Sequence, residues 1–319
     1  MNREKTIAKN MRIADDKAGY DAACKRLLSE KIILAWIMKN CLQEYLDCDV
    51  KEIAEQYIED RPQVAEMAVA PDETNACPMI HGMSSEDTTM TEGTVTYDIR
   101  FAAVAPVSGE RIRLIINVEA QNDFYPGYPL IKRGIYYCSR MISSQYGTEF
   151  TQSHYENIKK VYSLWICMNP PKNRENSITR YYISEESLVG NVKEQKSDYD
   201  LLAAVMICLG RPEDKDYTGV LKLLNVLLSA ETSPTEKCRM LEEDFQIEMT
   251  QTLESEVSLM CNLSKGVEER GIEKGIEKGI EGMVSALIDL NIPNDIIIQK
   301  LQEKFSLTLE EAQSYVKRF

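Results

Sequence analysis

Apolar positions recur at three- and four-residue steps over 22–46, where Cys24, Leu27, Leu28, Leu34, Ala35, Met38, Cys41, Leu42 and Tyr45 predict one amphipathic helix. A second, shorter helix is expected over VKEIAEQYIE (50–59). The pattern then gives way to PDETNACPMIHGMSSEDTTMTEG (71–93), whose density of Pro, Gly, Ser, Thr and Asp predicts a long loop. Period-two alternation follows in TVTYDIRFAAVA (94–105) and RIRLIINVEAQ (111–121), joined across Ser108-Gly109, a turn signal at hairpin length. Further strands are expected in VYSLWICM (161–168) and SITRYYI (177–183), while DLLAAVMICLG (200–210) fits strand or helix. Between them YPLIKRGIYYCSRMISSQ (128–145) predicts a helix with Ile131, Ile135, Cys138 and Ile142 as its apolar stripe. From about 217 the chain reads almost wholly helical.

A two-residue turn at Ser108-Gly109 pairs Val107 with Glu110 and sets Asp98 directly across from Glu119. Alternation tests this register, because a slip of one residue inverts every face. Val95, Tyr97, Ile99 and Phe101 share one face of the first strand, matching Ile112, Leu114, Ile116 and Val118 on the second. The other face gathers Asp98, Glu119 and Gln121, and the register places no cation of the chain between the carboxylates. Opposed carboxylates repel in a sheet, and tolerate each other when a cation lies between them. Oxygen ligands of this kind suit Mg²⁺ or Mn²⁺. The plainer reading is a set of solvated residues on the exposed face of an edge hairpin.

Downstream, Lys132, Tyr136 and Arg140 follow at four-residue steps, flanked by Arg133 and Tyr137. Such a basic stripe with interleaved tyrosines fits a nucleic-acid backbone, and equally an ordinary solvated helix face. Net charge is −14, which argues against generic adhesion to nucleic acid. Its distribution changes the picture: residues 111–182 hold ten Lys/Arg against five Asp/Glu, a basic middle in an acidic chain.

Nine cysteines without a CxxC pair, beside two histidines (His81 and His154), give neither a zinc cage nor a disulfide framework, and leave little for a His-dependent triad. The longest apolar runs, 32–38 and 201–210, are about half the roughly 20 residues a membrane span needs. The N-terminus is charged and lacks the apolar centre of a signal peptide, so a cytoplasmic location is expected. In GVEERGIEKGIEKGIEG (266–282), Gly271, Gly275 and Gly279 recur every four residues; a flexible or weakly helical linker, or close pairing of helices between subunits, is expected there. Thr308 and Glu311 have capping-box spacing for a last helix.

An Asp in one strand (TYDIRF), a hairpin, Glu-x-Gln (EAQ) in the next strand and a basic Tyr-rich helix resemble the PD-(D/E)XK nuclease superfamily. The run INVEAQNDFYPGYPLIKRGIYYCSRMIS, the ILAWIMKN helix and the Gly-Ile-Glu-Lys repeats are similar to the bacterial recombination-promoting nuclease and transposase family, over about residues 20–282. The resemblance implies an α/β restriction-endonuclease-like core, a central mixed sheet flanked by helices, that cuts DNA phosphodiesters with Mg²⁺. It implies Asp98 and Glu119 as metal ligands, the Ala120 carbonyl as a third, and Gln121 in place of the superfamily's lysine, with Glu30 or Glu44 completing the site. Lys132, Arg133, Tyr136, Tyr137 and Arg140 would bind DNA. The organisation expected is an arm (1–20), a nuclease-like domain (21–232), a helical extension (233–265), the repeat linker (266–282) and a small helical tail (283–319) through which the chain dimerises. A catalytically idle member of the fold, binding DNA or protein through its tail, is the alternative. Nothing in these residues points to strand joining.

Overall fold

The computed structural model describes residues 18–59, 62–64, 86–89, 93–107, 110–210, 219–229 and 231–318. The chain opens with helix α1 (18–28), and α2 (Lys31–Cys41) follows at once. The single helix expected over 22–46 is therefore broken: the Ser29 hydroxyl bonds back to the Arg26 carbonyl at 2.7 Å, and Glu30 is extended (φ −62°, ψ 127°). A hydroxyl serving its own backbone competes with helix continuation. A 3₁₀ turn at Gln43–Tyr45 closes the segment. α3 (Val50–Glu52) starts on an Asp49 cap and runs into a π turn, Ile53–Tyr57.

Six strands form a mixed sheet in the order β1 (Gln63–Val64), β4 (Ile99–Val107), β5 (Glu110–Gln121), β6 (Val161–Cys167), β8 (Leu202–Cys208), β7 (Ser177–Tyr182). β5, β6 and β8 are parallel; β1, β4 and β7 run antiparallel to their neighbours. The β4/β5 register joins Val107 to Glu110 and Ile99 to Val118, the pairing that the turn signal predicts. Most of the loop expected at 71–93 lies outside the described residues, but Glu86–Thr89 (β2) pairs with Gly93–Thr96 (β3) as a separate ribbon. The strand expected over 94–105 is thus two strands that part at Tyr97 and Asp98.

One face of the sheet, carrying Ile99, Phe101, Leu114, Ile116, Val118 and Leu164, is covered by α1, α2, α6 (Gly219–Leu228), α7 (Pro234–Phe245) and the start of α8 (Gln251–Asp289). The other face is covered by α4 (Leu130–Ser143). The buried stripe of α4 is Leu130, Gly134, Tyr137, Cys138 and Met141, offset by one position from the expected Ile131, Ile135 and Ile142; Ile135 is exposed. Tyr97 joins this α4 side, its ring edge-on to Tyr137 at 5.3 Å, and so leaves the face it was expected to share with Ile99.

The described residues divide into two compact units between Leu263 and Ser264. Within the second, Ile280, Val284, Ile297, Leu301, Ala312 and Val316 form the core shared by α8, α9 (Asn294–Phe305) and α10 (Leu309–Val316), the last with the predicted capping box at Thr308 and Glu311. The repeat segment 266–282 lies inside α8. Residues 1–17 of the expected arm fall outside the described residues, and 18–20 belong to α1. Among the described residues no helix is long and apolar enough to cross a membrane.

Candidate active site

Backbone pairing of β4 with β5 stops at Ile99 and Val118. Beyond it, side chains take over the ladder. The Asp98 N–H donates to Glu119 Oε1 at 3.1 Å, and the Ala120 N–H donates to Asp98 Oδ2 at 3.0 Å. The two carboxylates are thereby held together at the end of the hairpin, as the register requires. They do not lie on an exposed edge. β4 and β5 are interior strands, α4 covers their face, and Glu119, Asn117 and Arg100 are buried. Asn117 Nδ2 donates to Glu119 Oε1 at 2.9 Å, while its own Oδ1 has no hydrogen-bond partner among the described residues.

The expectation that no cation of the chain neutralises the pair is overturned. Lys25 on α1 is buried and places its ammonium 2.8 Å from Asp98 Oδ1 and 2.7 Å from Asp21 Oδ2. Asp21 precedes Lys25 by one helical turn, so both face the sheet from the same side of α1. Arg133 on α4 is the second cation: it lies over the Tyr137 and Trp165 rings at 5.0 and 5.2 Å, donates to the Tyr137 hydroxyl at 2.6 Å, and acts electrostatically on Glu119.

Burial, followed by repulsion from Asp98, pushes the Glu119 carboxyl well above its ordinary value, against Arg133, the Asp98 N–H and Asn117. Burial also raises Asp98, with Lys25 as the main opposing influence. For Lys25 burial works downward, but Asp98 and Asp21 outweigh it and hold the ammonium charged. Two like charges this close raise one another, and a neighbouring cation lowers them; Lys25 serves Asp98 in that way and Arg133 serves Glu119.

The remaining expected residues divide. The Gln121 amide turns to the Asp123 carbonyl, 2.5 Å away, rather than toward the carboxylates. Glu44 belongs to another cluster, with Lys160 Nζ at 2.9 Å and the Tyr162 hydroxyl at 2.7 Å. Glu30 sits in the bend between α1 and α2. The helix carboxylate tied to Asp98 through Lys25 is instead Asp21. On α4, Lys132 and Tyr136 are exposed and Arg133 is half-buried, but Tyr137 and Arg140 are buried, Arg140 with its guanidinium 3.2 Å from the Tyr136 hydroxyl. The five-residue basic stripe therefore reduces to Lys132, Arg133 and Tyr136. Tyr125 and Tyr128, on the loop before α4, are exposed beside it, and Tyr128 accepts from Arg133 at 3.1 Å. His154 pairs with Glu156 on an exposed turn at 2.9 Å, and His81 lies outside the described residues.

The Asp98 and Glu119 carboxylates bring oxygens of the kind that suits a hard cation, and the Ala120 backbone reaches them through its N–H. Among the described residues no group of three or more His, Cys, Asp or Glu is gathered to hold a metal ion. Comparison of the chain with protein-family models, with curated proteins and with solved structures finds no match.

Proposed function

We propose that this protein is a Mg²⁺-dependent DNA endonuclease with a restriction-endonuclease-like core, of the recombination-promoting nuclease type. The observation that carries the reading is the Asp98–Glu119 pair held across the end of the hairpin, Glu119 buried and Asp98 partly so. In this reading Asp98, Glu119 and the Ala120 carbonyl hold Mg²⁺, or Mn²⁺ in its place, with waters and substrate phosphate oxygens completing the shell. A bound ion of this kind supplies polarisation of the phosphoryl oxygen and a lower pKa for the attacking water.

The chain's own groups do the rest. Lys25 fixes the Asp98 carboxylate and brings the positive charge that Gln121 lacks at the superfamily's lysine position. Asn117 fixes Glu119, leaving Oε2 outside the two hydrogen bonds that hold Oε1. Arg133 adds positive charge at the edge of the site, where a scissile phosphate would approach. Lys132 and Tyr136 extend the contact along the DNA backbone. The C-terminal helices serve as the dimerisation part, since cutting both strands needs two sites.

A second reading, a catalytically idle nuclease-fold protein that binds DNA or protein, draws on one specific contact: the Lys25 ammonium sits on Asp98 Oδ1, a position the cation would share. Nicking of supercoiled DNA, assayed with Mg²⁺ and then Mn²⁺, separates the two. The nuclease reading expects cleavage by wild type, loss of at least a hundredfold in Asp98→Ala, and a Mg²⁺-dependent rise in melting temperature that the variant lacks. Equal cleavage by Asp98→Ala would sink it. Absence of cleavage together with retained, salt-sensitive DNA binding would favour the idle module.

A further inference from the structure

Outside this site the sheet carries a pair of thiols for which the nuclease reading has no use. Cys167 ends β6 and Cys208 ends β8, and the two are direct partners in the parallel ladder. Both side chains point to the α4 face, where they belong to the same buried cluster. Neighbouring strands run about 4.7–4.9 Å apart, within the roughly 4.4–6.8 Å between Cα atoms that a disulfide spans. We propose that Cys167 and Cys208 are an oxidisable dithiol that closes to an intramolecular disulfide on exposure to a peroxide.

The surroundings make one sulfur the nucleophile. Cys208 lies beside the Cys167 thiol, the Ser177 hydroxyl and the Arg174 guanidinium, whose influence, against its burial, brings it down to about 7, although the Cys167 thiol itself donates to the Trp165 carbonyl at 3.8 Å and the Ser177 hydroxyl to the Arg174 carbonyl at 2.6 Å. The neighbouring Cys208 sulfur, and then burial, hold Cys167 as the thiol. Burial raises the other described cysteines whose titration is displaced, Cys24, Cys41, Cys48, Cys138 and Cys238. The thiolate is the form that reacts with peroxide, which sets Cys208 apart from these. Both sulfurs are nearly inaccessible, so the oxidant must be as small as hydrogen peroxide.

The step balances. The Cys208 sulfur attacks one peroxide oxygen, an S–O bond forms and the O–O bond breaks. The departing hydroxide leaves as water with the proton that Cys208 gave up. The Cys167 sulfur then attacks the Cys208 sulfur, the S–S bond forms, the S–O bond breaks, and the second hydroxide leaves as water with the Cys167 proton. Two thiols are oxidised and one peroxide is reduced to two waters.

The test uses the full chain, reduced, freed of reductant, and treated with hydrogen peroxide at stoichiometric concentration. Free thiols are then blocked under denaturing conditions, and the digest is read by mass spectrometry. The expected result is the loss of two free thiols, a single cross-link between the Cys167 and Cys208 peptides, and full reversal by dithiothreitol. Treatment of the urea-unfolded chain should lose that selectivity. Cys167→Ser should stop at a Cys208 sulfenic acid that dimedone traps. The proposal is overturned if wild type consumes peroxide at Cys48 or Cys238 while the pair stays reduced. It is equally overturned if Cys208 proceeds to sulfinic acid with no cross-link.

Discussion

Lys25 is the residue on which two carboxylates converge, one from its own helix and one from the sheet. Replacing it by methionine keeps the buried stem but leaves Asp98 and Asp21 without their counter-charge. The expected cost is about 3 kcal/mol, the lower end for breaking a buried pair, because both carboxylates keep some solvent contact. Urea unfolding measures it, and Asp98→Asn in the same background should restore part of the loss. A loss within about 0.5 kcal/mol, as at ordinary surface positions, would show that the ammonium contributes little. Glu119 makes the opposite prediction. Its folded value is raised, so the folded state holds its proton more tightly than the unfolded chain. The stability it contributes is full below the ordinary glutamate value of 4.5 and is lost as pH rises through the folded value. Without divalent cations, wild type should therefore lose stability relative to Glu119→Gln as pH climbs from 4.5 to neutrality. Parallel pH curves for the two proteins in EDTA would refute this.

At the scale of elements, α4 is fixed by a glycine. A Cβ at Gly134 would meet Trp165 Nε1 at 3.1 Å, Met206 Cε at 3.3 Å and Ala204 Cβ at 3.4 Å, and the indole is itself held by Ser163 Oγ at 2.8 Å. Gly134→Ala gains about 1 kcal/mol of helix propensity and suffers about 1–3 kcal/mol of overpacking. The net expectation is a loss near 1 kcal/mol, read as a lowered melting temperature. This contact also shows why part of the fold was hidden from the sequence. The β4/β5 register was legible because alternation and a short turn both encode it locally. Which stripe of α4 is buried was not, because Ile135 is as apolar as Tyr137 and the choice rests on Trp165 and Met206, which pack there only after β6 and β8 assemble. The Asp98–Glu119 pair was legible for the same reason as the register. Lys25 and Asp21 were not, because only tertiary packing brings α1 to the end of the hairpin. The break at Ser29 could have been suspected from a hydroxyl residue in the middle of the expected helix. Nothing in the polar residues 86–89 marked a strand.

At the scale of the molecule, the repeat inside α8 bears on self-association. A Cβ at Gly275, Gly279 or Gly282 would meet nothing within 4 Å, so the chain's own packing does not require glycine there. Gly275→Ala with Gly279→Ala should stabilise the isolated subunit by up to about 1 kcal/mol per site. If a second copy packs closely at these positions, the same change should weaken the dimer. Sedimentation of this double variant and of a chain ending at Leu263 reads both effects, and a wild-type mass equal to that of one subunit removes the dimer from the proposal. The first unit also closes on itself: Arg26 of α1 meets the Glu256 carboxylate of α8 at 3.1 Å, across 230 residues. On a ribosome adding roughly 5–20 residues per second, α1 must wait on the order of ten to fifty seconds for that partner to be made. During that interval its apolar face, Ala23, Cys24, Leu27 and Leu28, has no completed core to enter. The nascent protein therefore presents α1 to chaperones as a sticky segment until the start of α8 has been made.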